Sequence, residues 1–524
     1  MFVSHVYEMI VLYFQLCLKF ETIRKSRRCF DIRPRRCGPA GLGADILERL
    51  RPALVNDVGK IVSVCAGGMH TLCLTEEGKI INLLLLIHRF HHCSSIHSSV
   101  MSKKRSLPAS NKRKSVGPTP AKVSKTNNIS AALFEVRNYT KKPGDVLTFG
   151  QGDVGQLGLG ADILERLRPA LVNDVGKIVS VCAGGMHTLC LTEEGKVMSF
   201  GCNDEGALGR ETAEEGSETL SGAVELPGKA VQVTAGDSHS AALLDDGRVF
   251  AWGAFRDSHG SMGLTPNGAE KFPVQMPVDS KVVKIASGGD HLVMLTADGL
   301  VYTCGCGEQG QLGRLYERTA SRESRQGLNQ LLLPALVISK HLKKVDDIWA
   351  GTYCTFFKEK STDNIYACGL NNYFQLGLGK KLSQILRHFH PVKSEQFSNH
   401  TWRTIAGGQH HTLALDTDNV TYVIGRHEYG RLGLGENGKD IEELTIIPSL
   451  QQKKCVEIAC GSSVSFAVTD NGEVYSWGMG TNGQLGSGEE EDLYEPKKVG
   501  GKQLEGKRVV QVSSGGQHTV ILTN

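Results

Sequence analysis

What most limits how this chain can fold is that it repeats itself. A strand-like stretch ending in glycine recurs seven times, at Gly150, Gly201, Gly253, Gly305, Gly369, Gly425 and Gly478, in steps of 51, 52, 52, 64, 56 and 53 residues. After most of these comes a second glycine cluster: GQLG at 155–158, GALG at 206–209, GQLG at 310–313, GRLG at 430–433 and GQLG at 483–486, with NYFQLG (372–377) and GSMG (260–263) as variants. Further along each unit lies a third element, AGGMHT (183–188), AGDSHS (235–240), SGGDHL (287–292), AGTYCT (350–355), GGQHHT (407–412), CGSSVS (460–465) and SGGQHT (514–519), followed by a short apolar stretch and a tight turn. Each unit is too small to bury a core alone, so neighbouring units must stack.

Short stretches between glycine turns, with alternation such as Val249-Phe250-Ala251-Trp252, read as antiparallel hairpins, and no long segment has helical periodicity. Gly makes up 61 of the 524 residues against only 16 Pro, which supplies the turns. Seven such units predict an all-β, seven-bladed β-propeller, whose radial packing leaves only short strand edges. The last unit, HTVILTN (518–524), lacks its glycine-ending strand, whereas DVLTFG (145–150) is such a strand with no unit before it. Pairing of the N- and C-terminal strands is therefore expected to close the ring. Fifteen cysteines without a C-x-x-C pair give neither a zinc ribbon nor a disulfide framework and suit a reducing compartment.

The propeller is assigned to residues 144–524. Ahead of it, residues 41–79 repeat 158–196 without a single difference, but the copy continues IINLLLLIHRF where the second continues VMSFGCNDEG. The strand and glycines that would complete a blade are missing, so residues 1–100 read as an extension of recent origin, with Met101 the expected functional start. The apolar run at 80–87 is far shorter than the ~20 residues a membrane span needs, and no membrane partner is expected.

The overall charge of +4 conceals a division along the chain. Residues 101–125 carry Lys103, Lys104, Arg105, Lys112, Arg113, Lys114, Lys122 and Lys125 with no acid, while 126–524 carry a net −9. Residues 101–143 read as a basic disordered tail. Its cations can displace counterions from DNA phosphates, and the clusters 103–105 and 112–114 resemble a bipartite nuclear-import signal read by import receptors. The alternative is a merely solubilising tail.

GQGDVGQLGLG (150–160), SFGCNDEGALGR (199–210), HLVMLTADG (291–299) and GCGEQGQLGR (305–314), together with the insertions FRDSHG (255–260) and ERTASRESRQGL (317–328), resemble the regulator of chromosome condensation family. The resemblance covers 144–524. It implies a seven-bladed propeller that is the guanine-nucleotide exchange factor of the small GTPase Ran, held on chromatin in the nucleus, and it implies no cofactor or metal.

Positions matching the family's Ran-binding residues are Asp153, His187, Asp237, Arg256, Asp290, Arg314, His410 and His518, with Arg256 in the wedge pressed against the GTPase's phosphate-binding region. Arg322 and Arg325 match a loop that enters the acidic patch of the histone dimer, where arginine can fork onto carboxylates. Phe374 departs from the family, whose members often have His there. The residues by themselves admit plainer readings. The recurring His187, His239, His291, His411 and His518 can pin a turn, Asp237 and Asp290 can cap their own turns, and the arginine loop can be a solvated excursion. His410 and the FRDSHG insertion occur once, so a repeat-wide structural role explains them less well. No nucleophile, paired carboxylate or phosphate loop for bond chemistry stands out. A non-catalytic scaffold or chromatin adaptor is the alternative function.

Overall fold

The computed structural model describes residues 142–524 apart from 380, 381, 383 and 384, and, ahead of them, three strands at Ile61–Ala66, Thr71–Thr75 and Ile80–Asn82. Two units are distinct, 1–120 and 121–524. In the first, the three strands form one antiparallel sheet. Cys65 faces Leu72, as Cys182 faces Leu189 in the identical sequence downstream, so the copy forms the same hairpin in the same register. The import-signal and tail residues Lys103, Lys104, Arg105, Lys112, Arg113 and Lys114 lie outside the described residues.

The second unit is the expected propeller of seven four-stranded antiparallel sheets. Blade 1 joins Val509–Ser514 and His518–Thr523 to Val146–Gln151 and Glu165–Leu171, with His518 opposite Gly150 and Leu522 opposite Val146. The ring is thus closed by strands from its two ends. The inner strands of blades 2 to 7 begin at Ile178, Ala230, Val282, Val345, Trp402 and Cys455. In every blade the second strand is buried along its whole length, or nearly so, as in HLVMLT at His291–Thr296. Each such strand lies between two neighbouring blades, which is why these segments are continuously apolar. The same holds for Val249–Gly253, buried at every residue, so the expected in-out alternation there is replaced by two covered faces. Fourth strands face outward, as the mostly exposed Glu270–Gln275 does.

Within each blade the turn after the inner strand and the loop after the third strand lie at the same end, because the second and third strands pair from that end, as His187 with Gly201. Gly201 needs its positive φ of 117° there, and a Cβ would sit 2.6 Å from the His187 Cα. In the following loop, where other blades carry the first glycine of the G-x-L-G cluster, such as Gly155 and Gly206, Phe374 adopts a φ of 65°, a conformation costly for a side chain.

At that end the turns are linked in an arc of backbone hydrogen bonds: Gly516 N–H to Gly185, Gly185 to Gly236, Asp237 to Gly289 and Gly289 to Thr352, and on the other side Gln409 to Ser462 and Ser462 to Gly515. They surround an axial cavity of about 170 Å³ lined by all seven blades. Among the described residues no helix is long and apolar enough to cross a membrane.

Candidate functional site

The recurring histidines form joints between blades. His187, His291, His411 and His518 are 0–1% exposed, and each Nε2 meets a hydroxyl of the following blade: Ser240 at 2.8 Å, Thr355 at 2.9 Å, Ser465 at 2.9 Å and Thr188 at 2.8 Å. Those hydroxyls donate to the carbonyls of Ala207, Gln311, Arg431 and Gln156, so Nε2 carries the proton and donates. His239 instead reaches Ser287, on the inner strand of the next blade, at 3.0 Å. Each ring lies against the glycine of its own turn. A Cβ on Gly184 would come within 2.3 Å of the His187 ring. Burial pushes His187 down to about 4 and His239, His291, His411 and His518 to about 3, so all five are neutral. For His187 and His518 the expected contact with a partner gives way to this joint, since neither has surface to offer. Arg314 is likewise committed inward: it donates to Thr303 and to the carbonyls of Gln330, Leu331 and Leu333, which close the short helix Gly327–Leu332.

The remaining candidates share the end of the propeller that carries the turn arc. Asp153 is exposed in the loop after the third strand of blade 1, with Oδ1 accepting from Gln156 at 3.1 Å. Asp237 and Asp290 occupy the turns of blades 3 and 4, Asp237 lying over Gly289. Burial and the Asp237 carboxylate push Asp290 up to about 8, against the pull of the Arg256 amide and guanidinium. Burial raises Asp237 as well, with Arg256 opposing. Two carboxylates crowded in this way hold a proton readily and would lose it to an inserted cation.

Arg256 stands on the hairpin Phe255–Asp257/Gly260–Gly263, a two-stranded excursion found in no other blade among the described residues. Its root is the wholly buried Phe255, whose ring lies 4.5 Å from that of His239. Three carboxylates hold it from outside. Asp290 Oδ1 accepts from the Arg256 amide at 2.7 Å. Glu205 takes the Arg256 guanidinium at 3.2 Å and Ser261 Oγ at 3.0 Å. Glu308 takes the amide and hydroxyl of Ser258 at 3.1 and 2.7 Å. The hairpin is thus presented already ordered, and a partner need not bear the entropy of fixing it.

A second cluster surrounds His410. Its ring meets the edge of Tyr373 at 5.1 Å, Arg426 covers the face of Tyr373 at 4.8 Å, and Glu428 binds Arg426 at 2.8 Å. Burial, with Arg431 and Arg426 adding to it, pushes His410 down to about 4. Glu205, Glu308, Tyr373 and Arg426 were not singled out from the sequence. Arg426 carried a usable signal, being the one cation directly after a strand-ending glycine.

Arg325 is exposed. Arg322 is not free in this way: its Nε donates to Asp257 Oδ2 at 2.6 Å and its Nη2 to Asp257 Oδ1. Asp257, His259 and Glu308 gather three potential metal-ligand atoms, but Asp257 is already engaged by Arg322.

The family described as the RCC1-like domain matches residues 145–521. The chain belongs to that family. A human relative, "Regulator of chromosome condensation", is 53% identical over 74% of this chain and 92% of its own length. The budding-yeast "Guanine nucleotide exchange factor SRM1" is 32% identical over 72% of this chain and 87% of its own. Among solved structures, that of Prp20p from Saccharomyces cerevisiae, whose description includes its binding to Gsp1p and histones, superimposes with a TM-score of 0.69 at 30% identity, covering 77% of this chain and 96% of that one. Within this chain's own sevenfold repeat, the FRDSHG hairpin and the second histidine of GGQHHT each occur once.

Proposed function

We propose that this RCC1-like protein is a guanine-nucleotide exchange factor for the small GTPase Ran, acting in the nucleus on chromatin. The observation that carries the reading is the single pre-ordered hairpin bearing Arg256, set beside the Asp237–Asp290 pair on the face that also holds Asp153 and His410.

Exchange needs no bond chemistry, only differential binding. GDP is held on a GTPase by phosphate and Mg²⁺ contacts. A partner that binds the nucleotide-free form more tightly than the loaded form lowers the barrier to release. A rigid hairpin suits this task, because its free energy of contact is spent on displacing the GTPase's phosphate-binding segment and not on ordering itself. The acid pair offers a socket for a lysine or arginine of the GTPase. Such a catalyst acts on GDP and GTP alike, and the direction of loading follows the cellular excess of GTP.

The exposed Arg325 is suited to a carboxylate cluster such as the histone acidic patch, and the basic tail to DNA phosphates and import receptors. A pure scaffold would have no use for an arginine braced on a hairpin beyond the seven four-stranded sheets. The test is release of labelled GDP from Ran by the purified full chain. Catalytic amounts should speed release, and nucleotide-free Ran should be captured in preference to the GDP-loaded form. A release rate equal to that of Ran alone ends the reading.

A further inference from the structure

We propose that Arg322 is a positioning residue for exchange: from the loop after the third strand of blade 4 it latches the Arg256 hairpin in its working place. This rests on the exchange reading above. Arg322 reaches across to the neighbouring blade's hairpin and closes a two-pronged contact on Asp257, while Nη2 also donates to the Gly260 carbonyl at 3.0 Å. One guanidinium thereby ties both strands of the hairpin next to its tip. The planar fork matches the carboxylate, which the single point charge of lysine cannot do.

The bond is sheltered. The Asp257 side chain is 2% exposed and that of Arg322 25%, so removing the arginine strands a buried carboxylate. Asp257 Oδ1 also accepts from the His259 amide at 2.8 Å and so carries the turn itself. The two segments share a floor as well. Phe255, Met262 and Leu264 of the hairpin region and Leu315, Ala320, Leu331 and Leu332 of the loop belong to one hydrophobic cluster. Glu205 and Glu308 grip Arg256, Ser258 and Ser261; Arg322 grips Asp257 and Gly260, which they leave untouched.

The arginine that resemblance assigns to an acidic partner is therefore already engaged with an acidic residue of its own chain. Arg318 and Arg325, both exposed, remain for the partner.

The experiment compares full chains carrying Arg322→Ala, Asp257→Asn, their combination and Arg322→Lys in the Ran GDP-release assay, alongside backbone hydrogen exchange of residues 255–263. Both single variants should lose roughly tenfold in kcat, with KM within about twofold, because a displaced group impairs the reacting complex more than encounter. The combination should be no worse than either single variant, since the two residues act through one contact. Arg322→Lys should recover part of the rate. Amides at 258–260 should exchange faster while the blade strands keep their protection, which separates a loosened hairpin from a failed fold. Arg322→Ala with wild-type kcat and unchanged hairpin protection, but weakened nucleosome capture, would overturn the proposal and return Arg322 to the chromatin side. If wild-type protein fails to release GDP, the exchange reading falls, and the hydrogen-exchange comparison still decides whether the latch exists.

Discussion

Two parts of this molecule use polar side chains in opposite ways. At the joints between blades the same arrangement recurs around the ring: a neutral histidine, the glycine beneath it and a hydroxyl on the next blade, with Cys354 and Val464 standing where blades 5 and 7 lack the histidine. At the hairpin nothing recurs. Arg256, Asp257, Glu205, Glu308 and Arg322 form a charged assembly found once. What repeats holds the ring together, and what occurs once is available for a partner.

The sharpest way to break this division is His187→Ala, since resemblance places that residue in the partner contact and burial places it in a joint. Loss of a buried ring and its hydrogen bond should cost about 3 kcal/mol in unfolding free energy, read by denaturant titration, with exchange per folded molecule retained. Normal stability with lost exchange would move His187 to the site. Next, Arg256→Ala and Asp290→Ala should each lower the exchange rate by about a hundredfold while the unfolding midpoint stays near wild type. A comparable loss of stability would mean that the hairpin braces the ring after all.

Acidification tests every joint at once and leaves the hairpin out of the readout. The joint histidines titrate at about 3 to 4 in the folded protein and near 6.5 when unfolded, so below 6.5 the unfolded chain takes up protons that the native ring refuses. The contribution of the joint histidines should be level above pH 6.5 and fall between 6.5 and 4 by up to about 1.4 kcal/mol per pH unit for each, read in an Asp290→Asn background because Asp290, raised to about 8, slopes the other way. A flat profile across that range would show that the rings take up protons in the fold as readily as in the unfolded chain.

Most of the fold was legible because the repeat is its own alignment: glycines that demand positive φ, and a strand at one end of the chain that matches a gap at the other. The burial of whole strands was less visible, since Val249-Phe250-Ala251-Trp252 resembles an alternating edge until its second covered face is known. The site was only half legible. Arg256 and His410 declared themselves by breaking the repeat, as did the long step that carries Arg322. Which carboxylate Arg322 would find was beyond reach, because Asp257 lies 65 residues earlier and the two meet only when adjacent blades are packed. The buried fate of His187 and His518 was also hidden, since a turn histidine looks the same from sequence whether it faces water or a neighbour's hydroxyl.

The shared first blade has a consequence for biosynthesis. Val146–Gln151 is made before the strands of the six other blades, yet its inner partners, Val509–Ser514 and His518–Thr523, are made after them. During translation six blades can form while that strand is paired only with Glu165–Leu171, its other edge open until His518–Thr523 is made. A stop codon before Val509 would leave that edge bare and the circle open, with half of blade 1 missing.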